Sequence, residues 1–317
     1  MIAYLIRRAA HAVLVVLLVT VVVFVMEHAL PGGPARALLG PQATPVQIHA
    51  FEVQFGLLHP LPVQYWDFFV QLLHGNLGYA YSLNQSVDSL LVQNLAPTAL
   101  LVLPALALAL AIAIPLGIYQ AARRSSIGDV VASGASLVLY SMPSFWLALL
   151  FVSWFSISTH LFPSQAPQSD SALGIVEGAR GMVLPILTLT LVNMAIFSRY
   201  MRSTAIENLA SDYIRTARSK GLSEIAVLRR HLLRNSVAAV VTIVGLTVPG
   251  LLTGGLVVEQ IFNLQGIGLV FFNAATTQDF TVETGVILLA AILTVAGSFG
   301  ADICYMLLDP RVRYVGD

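Results

Sequence analysis

The sequence predicts an all-α integral membrane protein with six transmembrane helices, and three observations carry that prediction. Of its 317 residues 57% are hydrophobic and only 10% charged, with a mean hydropathy of +0.82. A soluble domain carries about 25% charged residues, so this chain cannot clothe a water-facing surface. Six apolar runs approach the roughly 20 residues that a helix needs to cross about 30 Å of hydrocarbon. Fourteen of the sixteen Lys and Arg residues then fall on one side of the resulting topology, as the positive-inside rule requires of the cytoplasmic face. These features exclude a cytosolic enzyme, a nucleic-acid-binding basic domain and a disordered regulator.

The runs come in order as follows. The first, Ala9 to Met26, follows Arg7-Arg8. It is longer than the apolar region of a cleaved signal peptide, and cleavage would leave five spans with the charge pattern unexplained. Pro31 to Pro97 is a large outer segment carrying Tyr65, Trp66, Phe68, Phe69, Tyr79 and Tyr81. A segment of that length should fold against the bundle or a partner; the alternative reading is that its aromatics anchor it at the membrane interface. The second span is Ala99 to Ile118, and the third is Val130 to Ile157, long enough to be tilted. The fourth, Met182 to Ser198, is short; the fifth is Val237 to Val258 and the sixth Val286 to Leu308. Prolines and glycines inside these runs are tolerated where neighbouring helices satisfy the freed backbone groups. The organisation is therefore residues 1–30 as an N-terminal transmembrane helix and 31–97 as an extracytoplasmic segment. Residues 98–308 form a five-helix domain containing a cytoplasmic loop, 204–235, and 309–317 form a cytoplasmic tail. Both termini face the cytoplasm.

Much chemistry is missing. The single cysteine, Cys304, rules out an intrachain disulfide, and the seven histidines lack metal-ligand spacing, so no metal site is expected. The sole lysine, Lys220, is followed by Gly221 rather than Ser or Thr, which excludes a phosphate-binding Walker loop. No nucleophile elbow or zinc-protease helix is present. No catalytic residue is assigned. Asp302 is the one carboxylate inside an apolar span. Such acids are costly in the membrane, and a structural pairing with Arg199 or Arg202 is favoured over a proton-coupled role.

The fourth span reads as helix to about Leu209. Ser211-Asp212 then offers an N-cap for a short helix from Asp212 to Lys220. Gly221 suits the position after it, where the backbone often needs positive φ. Ser223-Glu224 begins a second short helix leading to span five. From the residues alone, this loop could be a basic handle resting on anionic lipid. The run Asp212-Tyr213-Ile214-Arg215-Thr216-Ala217-Arg218-Ser219-Lys220-Gly221-Leu222-Ser223, followed by His231-Leu232-Leu233-Arg234-Asn235, resembles the loop signature of ABC-importer permeases. It is most similar to the branch that serves dipeptides, oligopeptides and nickel. Gly75-Asn76-Leu77-Gly78, Pro143-Ser144-Phe145-Trp146, Asp302-Ile303-Cys304-Tyr305 and Asp309-Pro310-Arg311-Val312-Arg313-Tyr314 resemble further motifs of that family in the same order. So does Pro31-Gly32-Gly33-Pro34. The departures are Gly33 and Asn76 in place of aspartates, Ala239 for a frequent proline, Leu264-Gln265 for Trp-Pro, and Leu269 for arginine.

The resemblance implies a type I ABC-importer permease bundle in the bacterial inner membrane, translocating a dipeptide or oligopeptide, with a nickel chelate or haem as alternative cargo. It implies a second, homologous permease as heterodimer partner, two ABC ATPase subunits holding ATP and Mg, an extracytoplasmic binding protein and surrounding lipid, but no nucleic acid. No cofactor is expected in this chain. Asp212, Tyr213, Arg215, Thr216, Ala217, Lys220 and Gly221 would couple to the ATPase, with Tyr213 and Ala217 on one docking face. Gly75, Asn76, Leu77, Gly78, Tyr79 and Tyr81 would meet the binding protein, and Asp302 would be architectural. The rival reading, an ion-gradient-driven secondary transporter, calls for inverted repeats and midplane charges that the sequence lacks. A membrane-embedded enzyme lacks its catalytic motifs.

Overall fold

A computed structural model describes residues 2–29, 33–39, 42–80, 83–169 and 171–308. Helix α1 (Ile2–His28) runs from the N-terminal arginines to the outer segment. That segment folds as α2 (Gly33–Leu39), α3 (Pro45–Gln54), α4 (Leu61–Leu73) and a small antiparallel hairpin, β1 (Tyr79–Ala80) with β2 (Gln85–Ser86). The rest is helical: α5 (Val87–Ala122), α6 (Ile127–Ser141), α7 (Ser144–Phe151), α8 (Ala172–Glu177), α9 (Val183–Leu209), α10 (Asp212–Ser219), α11 (Glu224–Ala226), α12 (Leu233–Gly254), α13 (Leu256–Ile261), α14 (Ile267–Thr277) and α15 (Phe280–Leu308). Two π-helical turns, Val152–Ser158 and Val227–Leu232, extend α7 and lead into α12.

Among the described residues four helices, Ile6–His28, Val87–Ala122, Ala179–Leu209 and Phe280–Ala301, are long and apolar enough to cross a membrane, and a bent pair taken as one span makes a fifth. The expected fifth span corresponds to α12, of 22 residues, which packs against both α9 and α15. Its side chains at 248–249 and 251–254 lie outside the described residues. The third span is not one tilted helix: α6 and the α7 segment meet at 101°. Pro143 has no N–H to give and pushes the residue before it out of helical conformation, and Met142 is accordingly extended at φ −81°, ψ 124°. By contrast α5 continues through Pro97, Pro104 and Pro115. At 36 residues and a rise of about 1.5 Å per residue, it crosses the membrane and enters the segment expected to end at Pro97.

The bundle is built around α5 against α9, its most extensive helix pair. Leu101, Val102 and Ala105 of α5 pack with Leu184 and Leu189 of α9 near the outer segment. Ala109 and Ala113 meet Met194 and Phe197 farther along. The close crossing needs Gly117, where a Cβ would sit 2.6 Å from the Met201 Cβ.

Of the alternatives the sequence left open, the segment between α1 and α5 packs against the bundle. Tyr65 and Phe68 of α4 pack around Phe24 of α1, and the Tyr65 hydroxyl lies 2.9 Å from that of Thr20. Gly75-Asn76-Leu77-Gly78 forms a turn in which Asn76 Oδ1 accepts from the Gly78 N–H at 3.0 Å. Gly78, at φ +95°, sits so close to α15 that a Cβ would meet Thr281 Cγ2 at 2.6 Å.

A buried carboxylate fixes α13 and α14. Glu259 is fully buried; its Oε1 accepts from Thr98 Oγ1 at 2.8 Å and its Oε2 from the Leu269 N–H at 3.0 Å. Thr98 Oγ1 in turn accepts from the Ile267 N–H at 2.8 Å. The orphan donors at the start of α14 are thus satisfied by α5 and α13 together. Gly266 and Gly268 leave the carboxylate its space, since a Cβ on either would fall within 2.9 Å of Glu259 Oε2. Glu259→Ala strands the Thr98 hydroxyl and the Leu269 N–H in a buried site, where an unmet buried group costs about 1–3 kcal/mol. The purified variant should melt at lower temperature than Leu246→Ala, a control at an exposed position of α12; equal melting would show that the carboxylate carries no structural load.

Candidate coupling site and its mounting

Helix α9 runs past its apolar stretch to Leu209, and the chain turns through Ala210 and Ser211 into α10. Ser211 is the N-cap residue, with extended φ −76° and ψ 152°, although its hydroxyl donates backwards to the Glu207 carbonyl at 3.3 Å. The helix closes at Ser219, one residue short of the expected Lys220, which becomes the C-cap. Gly221 follows at φ +76°, the left-handed conformation that reverses the chain where a side chain would strain it. Ser223 then caps α11, accepting from the Ala226 N–H at 3.4 Å.

One face of α10 belongs to the protein's own interior. Ile214 and Ala217 are buried with Ala121 of α5, Ala205 of α9, and Val227 and Leu232 of the following π-helical turn. This corrects the docking face expected from sequence. Ala217 is 4% exposed and supports the helix from below. Tyr213 is half-buried and donates through its hydroxyl to Asn208 Oδ1 at 2.8 Å, while Asn208 Nδ2 donates to Ser236 Oγ at 3.2 Å. Arg218 closes the turn onto Glu224, at 2.7 Å from Nη2 to Oε1, and that hydrogen bond raises the Arg218 pKa above its ordinary value. Exposed on the other face are Asp212, Arg215, Thr216 and Lys220. Arg215 lies 3.3 Å from Asp212. Leu222 and Ile225 stand at the tip, Ile225 67% exposed. Sequence reading missed these two apolar residues, although their place beside the Gly221 turn could have marked them.

A second anchor ties α9 to the start of α6. Arg202 Nε and Nη2 donate to the two oxygens of Asp129, both at 2.9 Å. The Asp129 side chain is only 4% exposed. It also accepts from the Ser125 N–H and the Ser133 hydroxyl, both at 3.0 Å. Arg202 is therefore engaged by Asp129, and Arg199 lies 4.7 Å over the Tyr140 ring. The Asp302 side chain lies outside the described residues, as do Pro31, Gly32, Tyr81 and the motif at 309–314. Of the outer set, Gly75, Asn76, Leu77, Gly78 and Tyr79 are brought together in the turn and hairpin beside α15, with the Tyr79 hydroxyl donating to Asn84 Oδ1 at 2.8 Å.

With this geometry in view, the sequence matches two patterns of one family. Residues 113–314 match the binding-protein-dependent transport system inner membrane component, and residues 1–102 match the N-terminal component of such systems. The chain belongs to this family of importer permeases and is a multi-pass membrane protein. A Brucella abortus (strain 2308) protein whose name assigns it to a peptide transport system as permease is 37% identical over 316 residues, 99% of this chain and 100% of the relative. The oligopeptide transport system permease protein AppB of Bacillus subtilis (strain 168) is 34% identical over 316 residues, with 99% and 100% covered. Among solved structures, a chain of the inward-facing methionine ABC transporter MetNI superposes with a TM-score of 0.55 at 17% identity. That match covers 69% of this chain and 96% of the other, and it supports the fold.

The mounting separates two substitutions. Ala217→Arg forces a long charged side chain into the protein's own core, so the variant should lose thermal stability and yield on purification before any partner is added. A Cβ at Gly221 would meet no atom within 4 Å, so Gly221→Val acts through backbone strain, about 1–2 kcal/mol for a left-handed residue. It should purify with only a small drop in melting temperature. Similar, wild-type-like melting of both would contradict the burial of Ala217.

Proposed function

We propose that this chain is the peptide-translocating permease subunit of an ABC importer in the bacterial cytoplasmic membrane, with both termini in the cytoplasm. The observation that carries the proposal is a short handle, α10 with its Gly221 turn, mounted rigidly on α5 and α9 while its opposite face and apolar tip have no interior to fill. The peptide cargo rests on the names of the relatives. The orientation rests on the clustering of Arg and Lys at the handle's end of the bundle.

In this reading two ATPase subunits hold ATP and Mg, and each permease of a heterodimer offers its handle to one of them. An extracytoplasmic binding protein delivers peptide to the outer segment, with Gly75, Asn76, Leu77, Gly78, Tyr79 and Tyr81 nearest to it. The chain itself makes and breaks no covalent bond. Closure of the ATPases pushes on Arg215, Thr216, Lys220, Leu222 and Ile225. Because the Ile214–Ala217 face is locked to α5 and α9, the push becomes a rigid-body movement of the bundle. Asp212, Tyr213 and Gly221 set the helix start, its tether and its exit.

Ile225→Asp tests the coupling, because it changes an exposed residue and leaves the mounting intact. An apolar anchor lost from a docked surface costs about 2 kcal/mol, or roughly thirtyfold in association. The reconstituted complex should keep its membrane insertion but lose ATP-driven dipeptide uptake and the stimulation of ATP hydrolysis by binding protein. Full uptake in a folded Ile225→Asp complex would remove the handle from the coupling path.

A further inference from the structure

Between the outer segment and helices α1 and α15 lies a cavity of about 410 Å³, within the range of small-molecule sites. It is remote in sequence and fold from the coupling handle, and the family match assigns it no ligand. Its walls include the carboxylates of Glu27 and Asp67, the hydroxyl-bearing Thr281, and the rings of Phe24, Phe51 and Phe68.

Three features define what would fit. Two carboxylates line the space, and among the described residues no hydrogen bond or ion pair to Glu27 is formed. Among the described residues His28 is the one basic side chain in the wall, and both its ring nitrogens are already committed, Nδ1 to the Phe24 carbonyl at 2.8 Å and Nε2 to Gln64 Oε1 at 2.9 Å. An ammonium group brings three donors and a positive charge, which suits a wall that carries the carboxylates of Glu27 and Asp67. The phenylalanine rings offer π-faces to a cation and apolar surface to whatever carries it. A ligand carboxylate would instead meet two like charges with no free cation to receive it.

We propose that this cavity binds a primary ammonium group carried on an apolar or aromatic body. A free amine and the N-terminus of a peptide share that chemistry. The site stands on its own geometry, so binding is measured on the full-length chain in lipid nanodiscs without ATP or partner subunits. Calorimetric titrations would use phenethylamine, phenylalanyl-alanine amide and the N-acetylated form of that amide.

Saturable binding of phenethylamine, of the dipeptide amide or of both is expected, with none for the acetylated form. Which of the two binds identifies a free amine or a peptide terminus as the source. Glu27→Gln should weaken the binding about tenfold, as loss of a charge-assisted hydrogen bond predicts. Asp67→Asn, a change at an exposed position that leaves the fold alone, should weaken it several-fold and serves if Glu27→Gln fails to fold. Equal affinity for the acetylated form, unchanged affinity in the folded variants, or no saturable binding of either amine overturns the proposal.

Discussion

The rest of the molecule depends on how α10 is held. An eight-residue helix has little stability of its own in water, since isolated helices below about 12–15 residues are marginal. Here Ile214 and Ala217 seat it on Ala121 and Ala205, which are the ends of α5 and α9, the two helices that run the length of the core. Exposed ion pairs such as Arg215–Asp212 add little, about 0–1 kcal/mol; the buried apolar cluster does the holding. A push on the exposed face is therefore a push on the bundle axis.

The anchors along α9 follow one logic. Arg202 is pinned to Asp129, Asn208 bridges Tyr213 and Ser236, and Gly117 lets α5 lie close enough that Met201 packs on its backbone. Breaking a buried ion pair by removing one partner costs about 3–5 kcal/mol, so the Asp129 bridge resists relative sliding of α6 and α9. At the other end, Glu259 and Thr98 tie α13 and α14 to α5. Helix α5 is thus fastened at both ends, and the outer segment sits on α1 and α15 beside it. In the proposed transport cycle such a body would rotate as whole units rather than bend locally.

Much of this was legible in the sequence, for physical reasons that also explain the gaps. Apolar runs near the length that crosses a bilayer, with few charges inside them, announced the bundle. Gly221 after a short polar helix announced a left-handed turn, and the structure places that turn at φ +76°. The break at Pro143 was not foreseen, because Pro97, Pro104 and Pro115 sit in an unbroken helix and proline alone does not say whether neighbours will supply the missing bond. The Asp129–Arg202 bridge joins residues 73 apart, and attention fell on Asp302 because it alone lay inside an apolar run. The facing of α10 misled most. Ala217 shares a face with Tyr213 at i, i+4 and with Ile214 at i, i+3; periodicity draws the face but cannot say whether the chain itself or a partner covers it.

The central claim is that the exposed tip of this handle meets the ATPase while its other face stays inside the permease. Photocrosslinking decides it most directly. A benzophenone amino acid placed at Ile225 in the assembled transporter should crosslink an ATPase subunit, with a yield that changes between nucleotide-free and ATP-trapped states. The same probe at exposed Val92 of α5 should give no ATPase adduct. Adducts from position 225 to lipid or to the binding protein, with none to an ATPase in either state, would contradict the account.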